Sequence, residues 1–300
     1  MDWLHHPRFA RERSRIIEFL RQDQYDFRKI KKVVFLCGGR VSIRRDSLNA
    51  YLERHVPDVL VFYAEAVWAV IASFTASANA LAVEEKLAAL ADIVIVIVES
   101  PGTFTEIGAF AISDPLRAKL LPILDVRRRE DESFINTGPV RWIDADSKFR
   151  PSIWVDPEQI LAATDQIEER LRRLPKSTPV RIQDLSASPK HLLFFVCDIV
   201  AVFGPCPREH VAASVSDVLG STGGTSDIDL YLGLGKAMKL LSSFTLNGCE
   251  MFFRVLNDGR LVSFQRKRHI DLPTLRSRVL SAMQACSACE PVLAELVRRT

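Results

Sequence analysis

Three hundred residues, 48% of them hydrophobic, suffice for two domains with ordinary cores, and the composition excludes a chain dominated by disorder. The net charge of +3 singles out no class of partner: residues 187–300 carry 13 Lys and Arg against 10 Asp and Glu, and residues 1–186 balance at 27 each. No apolar run reaches 18 residues and MDWLHHPRFARERSR lacks the apolar core of a signal peptide, so a cytoplasmic protein without a membrane span is expected. Six cysteines in mostly apolar contexts suit a reducing compartment, and neither Cys286-Ser-Ala-Cys289 nor the six histidines show metal spacing.

The first thirty residues interleave Arg8, Arg11, Arg13, Arg15, Arg21, Arg28 and Lys29 with Leu4, Phe9, Ile16, Ile17, Phe19 and Leu20. That pattern predicts an amphipathic basic helix over 1–30, either packed on a domain with solvated arginines or serving as a nucleic-acid arm. Strands are predicted next at 33–37, 59–63, 93–98, 120–124 and 153–155, alternating with helices at 44–55, 64–74, 80–91, 104–112 and 157–174. Such alternation argues for an α/β domain over 31–176, a doubly wound parallel sheet of Rossmann or flavodoxin-like type.

Residues 177–189, rich in Pro and Ser, read as a linker. Beyond it helices are predicted at 190–203, 207–219 and 227–241, then strands at 250–256 and 260–265 around the hairpin signal Asn257-Asp258-Gly259, then helices at 272–285 and 291–299. Three helices followed by a hairpin suggest a mostly helical winged helix-turn-helix domain over 190–300. Lys236 and Lys239 fall on its presumed recognition helix, Arg254 and Arg260 flank the wing turn, and Arg266, Lys267 and Arg268 follow it, all candidates for phosphate contact. Asp227 and Asp229 at the start of the same helix argue instead for docking a protein.

The stretch with most chemistry is 91–110, ADIVIVIVESPGTFTEIGAF. Its β-branched run reads as a strand buried on both faces, and the loop Glu99, Ser100, Pro101, Gly102, Thr103 lies at the carboxyl end where open α/β sheets bind ligands. Glu106 is the candidate reactive carboxylate, in a first helical turn that would favour its ionised form. Thr103-Phe104-Thr105-Glu106 also fits a capping box, in which the same two side chains only satisfy helix amides. Gly108 and Ala109, one turn on, leave space that a bulky side chain would fill. Gly38 and Gly39 after the first strand could bring amides to a phosphate, with Arg40, Arg44 and Arg45 near enough to pair with a pyrophosphate. Glu99, Glu84 and Glu65 are further acids near strand ends, and 133–142 combines Phe134, Asn136, Gly138, Arg141 and Trp142 in a loop able to close over a base or to meet a neighbouring subunit.

The string Glu-Ser-x-Gly-Thr-x-x-Glu-x-Gly-Ala resembles the nucleoside 2-deoxyribosyltransferase superfamily, whose glutamate attacks the anomeric carbon of a nucleoside. With Phe35-Leu36-Cys37-Gly38-Gly39, Leu90-Ala91-Asp92 and 133–141 added, the first half of the chain resembles bacterial retron effector proteins, in which a glycosidase-like domain precedes a winged-helix DNA-binding domain. Glu99 occupies the place of the superfamily's aspartate at the loop start, but the loop Glu-Ser-Pro-Gly-Thr is one residue longer, so the spacing departs from that pattern. The resemblance implies a toxic antiphage effector that cleaves the N-glycosidic bond of a nucleotide, foremost NAD, using no cofactor. Glu106, Glu99 and Glu84 would be its catalytic set, and Gly38, Gly39, Glu65, Ser100, Gly102, Thr103 and Asn136 would hold the substrate. It implies restraint by the retron reverse transcriptase and its msDNA in a higher-order oligomer. A transferase or hydrolase acting on deoxynucleotides, a phosphoribohydrolase, and a non-catalytic nucleotide-sensing DNA-binding regulator are the alternatives.

Overall fold

The computed structural model describes residues 5–21, 26–29, 31–71, 80–175, 178–220, 227–254, 262–265 and 272–299. The chain divides into two compact units, Lys31–Lys176 and the combination of Met1–Ile30 with Ser177–Thr300. It opens in the discontinuous unit with α1 (Pro7–Arg21) and β1 (Asp26–Lys29), so the expected basic helix ends at Arg21 and a strand follows.

The α/β unit then runs β2 (Lys32–Cys37), α2 (Ile43–His55), β3 (Val59–Phe62), α3 (Ala64–Ile71), α4 (Ala80–Leu90) and β4 (Ile93–Ile97). It continues α5 (Pro101–Ile112), α6 (Asp114–Arg117), β5 (Leu120–Asp125), α7 (Arg141–Asp146), β6 (Ile153–Val155) and α8 (Thr164–Arg173). Its five strands are all parallel in the order β3-β2-β4-β5-β6, the flavodoxin-like arrangement. Every residue of β4 is buried, as an Ile and Val strand covered on both faces must be. One face packs Val34, Leu36, Ile93 and Ile95 against Leu48 and Leu52 of α2 and Ile167 and Leu171 of α8. On β2 and β3 the rings of Phe35 and Phe62 stack at 4.8 Å, and Phe110 of α5 meets Phe35 at 6.4 Å. The helix expected over 157–174 is broken: Pro157–Ala163 is a 3₁₀ run kinked at Gln159, and α8 follows.

The discontinuous unit resumes with β7 (Val180–Arg181), α9 (Pro189–Phe203), β8 (Cys206–Pro207), α10 (Arg208–Leu219) and α11 (Ile228–Ala237). It closes with β9 (Ser242–Leu246), β10 (Cys249–Phe253), β11 (Val262–Gln265), α12 (Leu272–Gln284) and α13 (Glu290–Arg299). Helix α9 is buried at every position from His191 to Phe203 and is the axis of this unit. Two small antiparallel sheets flank it, β11-β1-β7 and β8-β10-β9. The supposed linker thus contains β7 and a 3₁₀ helix, Ile182–Ala187.

The strands on either side of Asn257-Asp258-Gly259 fall in different sheets, so they do not form the expected hairpin; the turn residues lie outside the described residues. The hairpin present is β9–β10, turned at Asn247 and Gly248 with φ of 52° and 77°. Two successive left-handed residues of the Asn-Gly type twist the backbone in the sense that antiparallel strands require. Among the described residues no helix is long and apolar enough to cross a membrane.

Candidate functional site

The order of the parallel sheet reverses between β2 and β4, and the crevice beyond their carboxyl ends is where a doubly wound fold receives a ligand. Helix α5 starts there, earlier than the expected 104–112. Ser100 is its N-cap and Pro101 its first residue, where a missing N–H costs nothing. The Ser100 hydroxyl accepts from the Thr103 amide at 3.3 Å, and the buried Thr103 hydroxyl accepts from the amides of Ser100 and Glu99 at 2.9 and 3.0 Å. The capping box is therefore Ser100–Thr103, and Thr103–Glu106 is not one. Glu106 sits half-buried in the second turn of α5, beyond the first turn in which helix amides and the dipole act most strongly. Ser100 and Thr103, expected to touch substrate, hold the helix start. A side chain at Gly102 would meet only Ser100 Oγ, at 3.7 Å, and one at Gly108 would meet nothing within 4 Å, so space remains beside α5.

Glu99 ties the two loops of the crevice together. Its carboxylate accepts from the Gly39 amide at 2.9 Å and from Arg44 Nη1 at 3.0 Å. Burial would raise this carboxyl, but hydrogen bonds from Ser42, Gly39 and Arg44 together hold it below the usual range. Arg44 also donates to the Pro157 carbonyl and to Glu158, each at 2.9 Å, so its guanidinium is engaged by protein rather than presented to a pyrophosphate. Arg45 is buried as well. It pairs with Glu65 at 2.5 Å and stacks over Tyr63 at 4.2 Å, and a Cβ on Gly38 would lie 3.0 Å from its side chain. Gly38 and Glu65 thus accommodate Arg45. Glu84 lies on α4, with its side chain outside the described residues.

A cleft of about 500 Å³ opens next to this crevice, past the ends of β4 and β5. Val98, Phe104, Leu124 and Ile135 line it together with Arg44, Glu99, Asp125, Arg127, Arg128 and Asn136; Glu106 is not among the lining residues. Asp125 grips Arg127 through contacts of 2.7 to 3.0 Å, which lowers the carboxyl and raises the guanidinium. Arg128 is exposed and only loosely paired with Asp131, at 3.4 Å. The Asn136 amide donates to the carbonyls of Arg128 and Asp131 at 2.8 and 2.9 Å, closing the cleft-wall loop, so its N–H groups are not aimed at a base. Phe134 is exposed, and Trp142 stacks under Arg117 at 4.1 Å. An apolar floor with the exposed Arg128 guanidinium at its rim suits a flat heterocycle carrying phosphate. Sequence reasoning missed Arg127 and Arg128, although three arginines directly after a buried strand were the available signal.

In the discontinuous unit the expected phosphate contacts change character. Seven residues of α11, Ile228 and Leu230 to Gly235, are buried, so no broad face is left to read a groove. Lys236 pairs with Glu250 at 2.7 Å, and Asp229 with Arg208. Arg254 is in the core, bonded at 2.7 Å to an equally buried Asp198. Lys239 is exposed just past α11. Arg260, Arg266, Lys267 and Arg268 lie outside the described residues.

Residues 41–243, a stretch reaching into both units, match the STM3845 retron effector protein family, and the chain belongs to that family. It is a retron effector. The "Retron Ec73 putative ribosyltransferase/DNA-binding protein" of Escherichia coli is 29% identical over 237 residues, which cover 71% of this chain and 75% of that protein. The "Retron Ec86 putative ribosyltransferase/DNA-binding protein" of the same organism is 40% identical over 115 residues, 37% of each chain.

Proposed function

We propose that the α/β unit is an N-glycosidase that breaks the bond between ribose C1′ and the base of a nucleotide, with NAD the favoured substrate and nicotinamide the released base. Glu106 serves as nucleophile, or as the carboxylate that stabilises the oxocarbenium-like transition state. The observation that carries this reading is the position of Glu106: in the second turn of a helix that begins at the switch point, with capping done by Ser100 and Thr103. The naming of both Escherichia coli relatives as "putative ribosyltransferase" supports it.

The engagement of Glu99 favours NAD over a deoxynucleoside. A carboxylate held ionised by three donors is a poor general acid. Nicotinamide needs none. The electron pair of the C1′–N bond neutralises the pyridinium as it leaves, water adds its oxygen at C1′, and the second proton of that water passes to solvent. Arg128 at the rim, only loosely paired with Asp131, is available to the phosphates that such a substrate carries. In this reading the discontinuous unit binds the retron's nucleic acid and reverse transcriptase, which restrain the activity within a larger assembly until infection.

The test is nicotinamide release by the full chain with its retron partners. Glu106→Gln should lower the rate by about 10²–10³ while circular dichroism stays unchanged, and wild-type release by that variant would overturn the mechanism. A mass-spectrometric survey of nucleotides after activation separates NAD from deoxynucleotide substrates. NAD bound but not turned over by the wild type would make the unit a sensor.

A further inference from the structure

A groove of about 630 Å³ runs between α1 and α12. Phe9, Ile16, Ile17 and Leu20 of α1 are buried, which turns Arg8, Arg11 and Arg15 outward along one stripe at helical spacing. Arg278 of α12 faces the same groove, so four guanidinium groups line it against one carboxylate, Glu12, which pairs with Arg15 at 2.5 Å. Arg13 lies on another stripe of α1 and is engaged by Ser214 and Asp217. Gathering like charges on packed helices is unfavourable unless an anion balances them.

The rest of the lining indicates which anion. Ser277 and Ser281, one turn apart on α12, add hydroxyl donors, and no aromatic side chain is among the described lining residues. Guanidinium and hydroxyl donors of this kind suit a sugar-phosphate backbone. From Arg8 to Arg15 the helix rises about 10 Å, roughly three phosphate-to-phosphate steps of one strand along a duplex axis.

We infer that the α1–α12 groove is the surface on which this effector docks a nucleic-acid backbone, independently of sequence, with Arg8, Arg11 and Arg278 as phosphate contacts. It rests on the nucleic-acid reading of this unit given above, and it moves the interface away from α11.

The experiment measures anisotropy of a labelled single-stranded oligodeoxynucleotide of about 20 residues with the full chain, between about 50 and about 200 mM salt. The triple variant Arg8→Gln, Arg11→Gln, Arg278→Gln should bind on the order of tenfold or more weaker, and the slope of log affinity against log salt should shrink by about 2. Arg298→Gln, which removes an exposed arginine of α13, should bind like the wild type, and thermal midpoints should confirm that each variant is folded. An unchanged affinity and slope in the triple variant would sink the groove assignment while leaving nucleic-acid binding intact. A wild type that ignores the oligonucleotide but binds polyglutamate through these arginines would sink both, and make the groove a protein-docking face.

Discussion

Three donors converge on the Glu99 carboxylate: the Ser42 hydroxyl, the Gly39 amide and the Arg44 guanidinium. Because its folded pKa is depressed, the group stabilises the fold above the pKa of the unfolded chain, and that stability is lost as pH falls through the folded value. Glu99→Gln should therefore cost about 1–3 kcal/mol at neutral pH and flatten the acid limb of stability against pH, measured by urea unfolding from neutral to acid conditions. An acid limb as steep as the wild type's would show that another carboxylate dominates it. Glu106 was visible in the sequence as a carboxylate near the start of the helix that follows a buried strand. What was not visible was which residue caps α5, because Ser100-Pro101 and Thr103 to Glu106 both carry start signals, and only the chain's exit from β4 decides between them.

At the scale of elements, that cap is itself testable. Ser100→Ala removes the acceptor for the Thr103 amide and should cost about 1 kcal/mol, a fall in Tm of about 2–4 °C for a unit of this size. Ser100→Asp, which keeps an acceptor, should recover most of it; equal losses in both variants would argue that the helix start is held by packing alone. Strands with long β-branched runs were legible in the sequence, β4 above all. β1, β7 and β8 were not, because strands of two to four residues carry too little periodicity to stand out from a loop or a helix end. The hairpin was misplaced for a different reason. Asn-Asp-Gly at 257–259 is as good a turn signal as Asn247-Gly248, and pairing across sheets, a non-local property, decides which one joins adjacent strands.

For the whole molecule, the discontinuous unit draws on both ends of the chain. β1 is the middle strand of β11-β1-β7, and α1 packs on α10 and α12. A fragment of residues 177–300 should therefore lack a cooperative thermal transition, whereas residues 31–176 should unfold cooperatively by themselves, as monitored by circular dichroism. Supplying residues 1–30 as a peptide should restore the transition to the 177–300 fragment, and a cooperative transition without it would show the remaining elements to be self-sufficient.

The same arrangement sets an order of events on the ribosome. The α/β unit is contiguous and is complete once Lys176 has emerged, but the discontinuous unit waits for β11 and α12. At about 5–20 residues per second, translating the stretch from Ser177 to Thr300 takes roughly 6–25 s. Through that interval each nascent chain carries a finished α/β unit before the discontinuous unit can form. On the proposed reading, any restraint that depends on the discontinuous unit therefore begins only once β11 and α12 have been made.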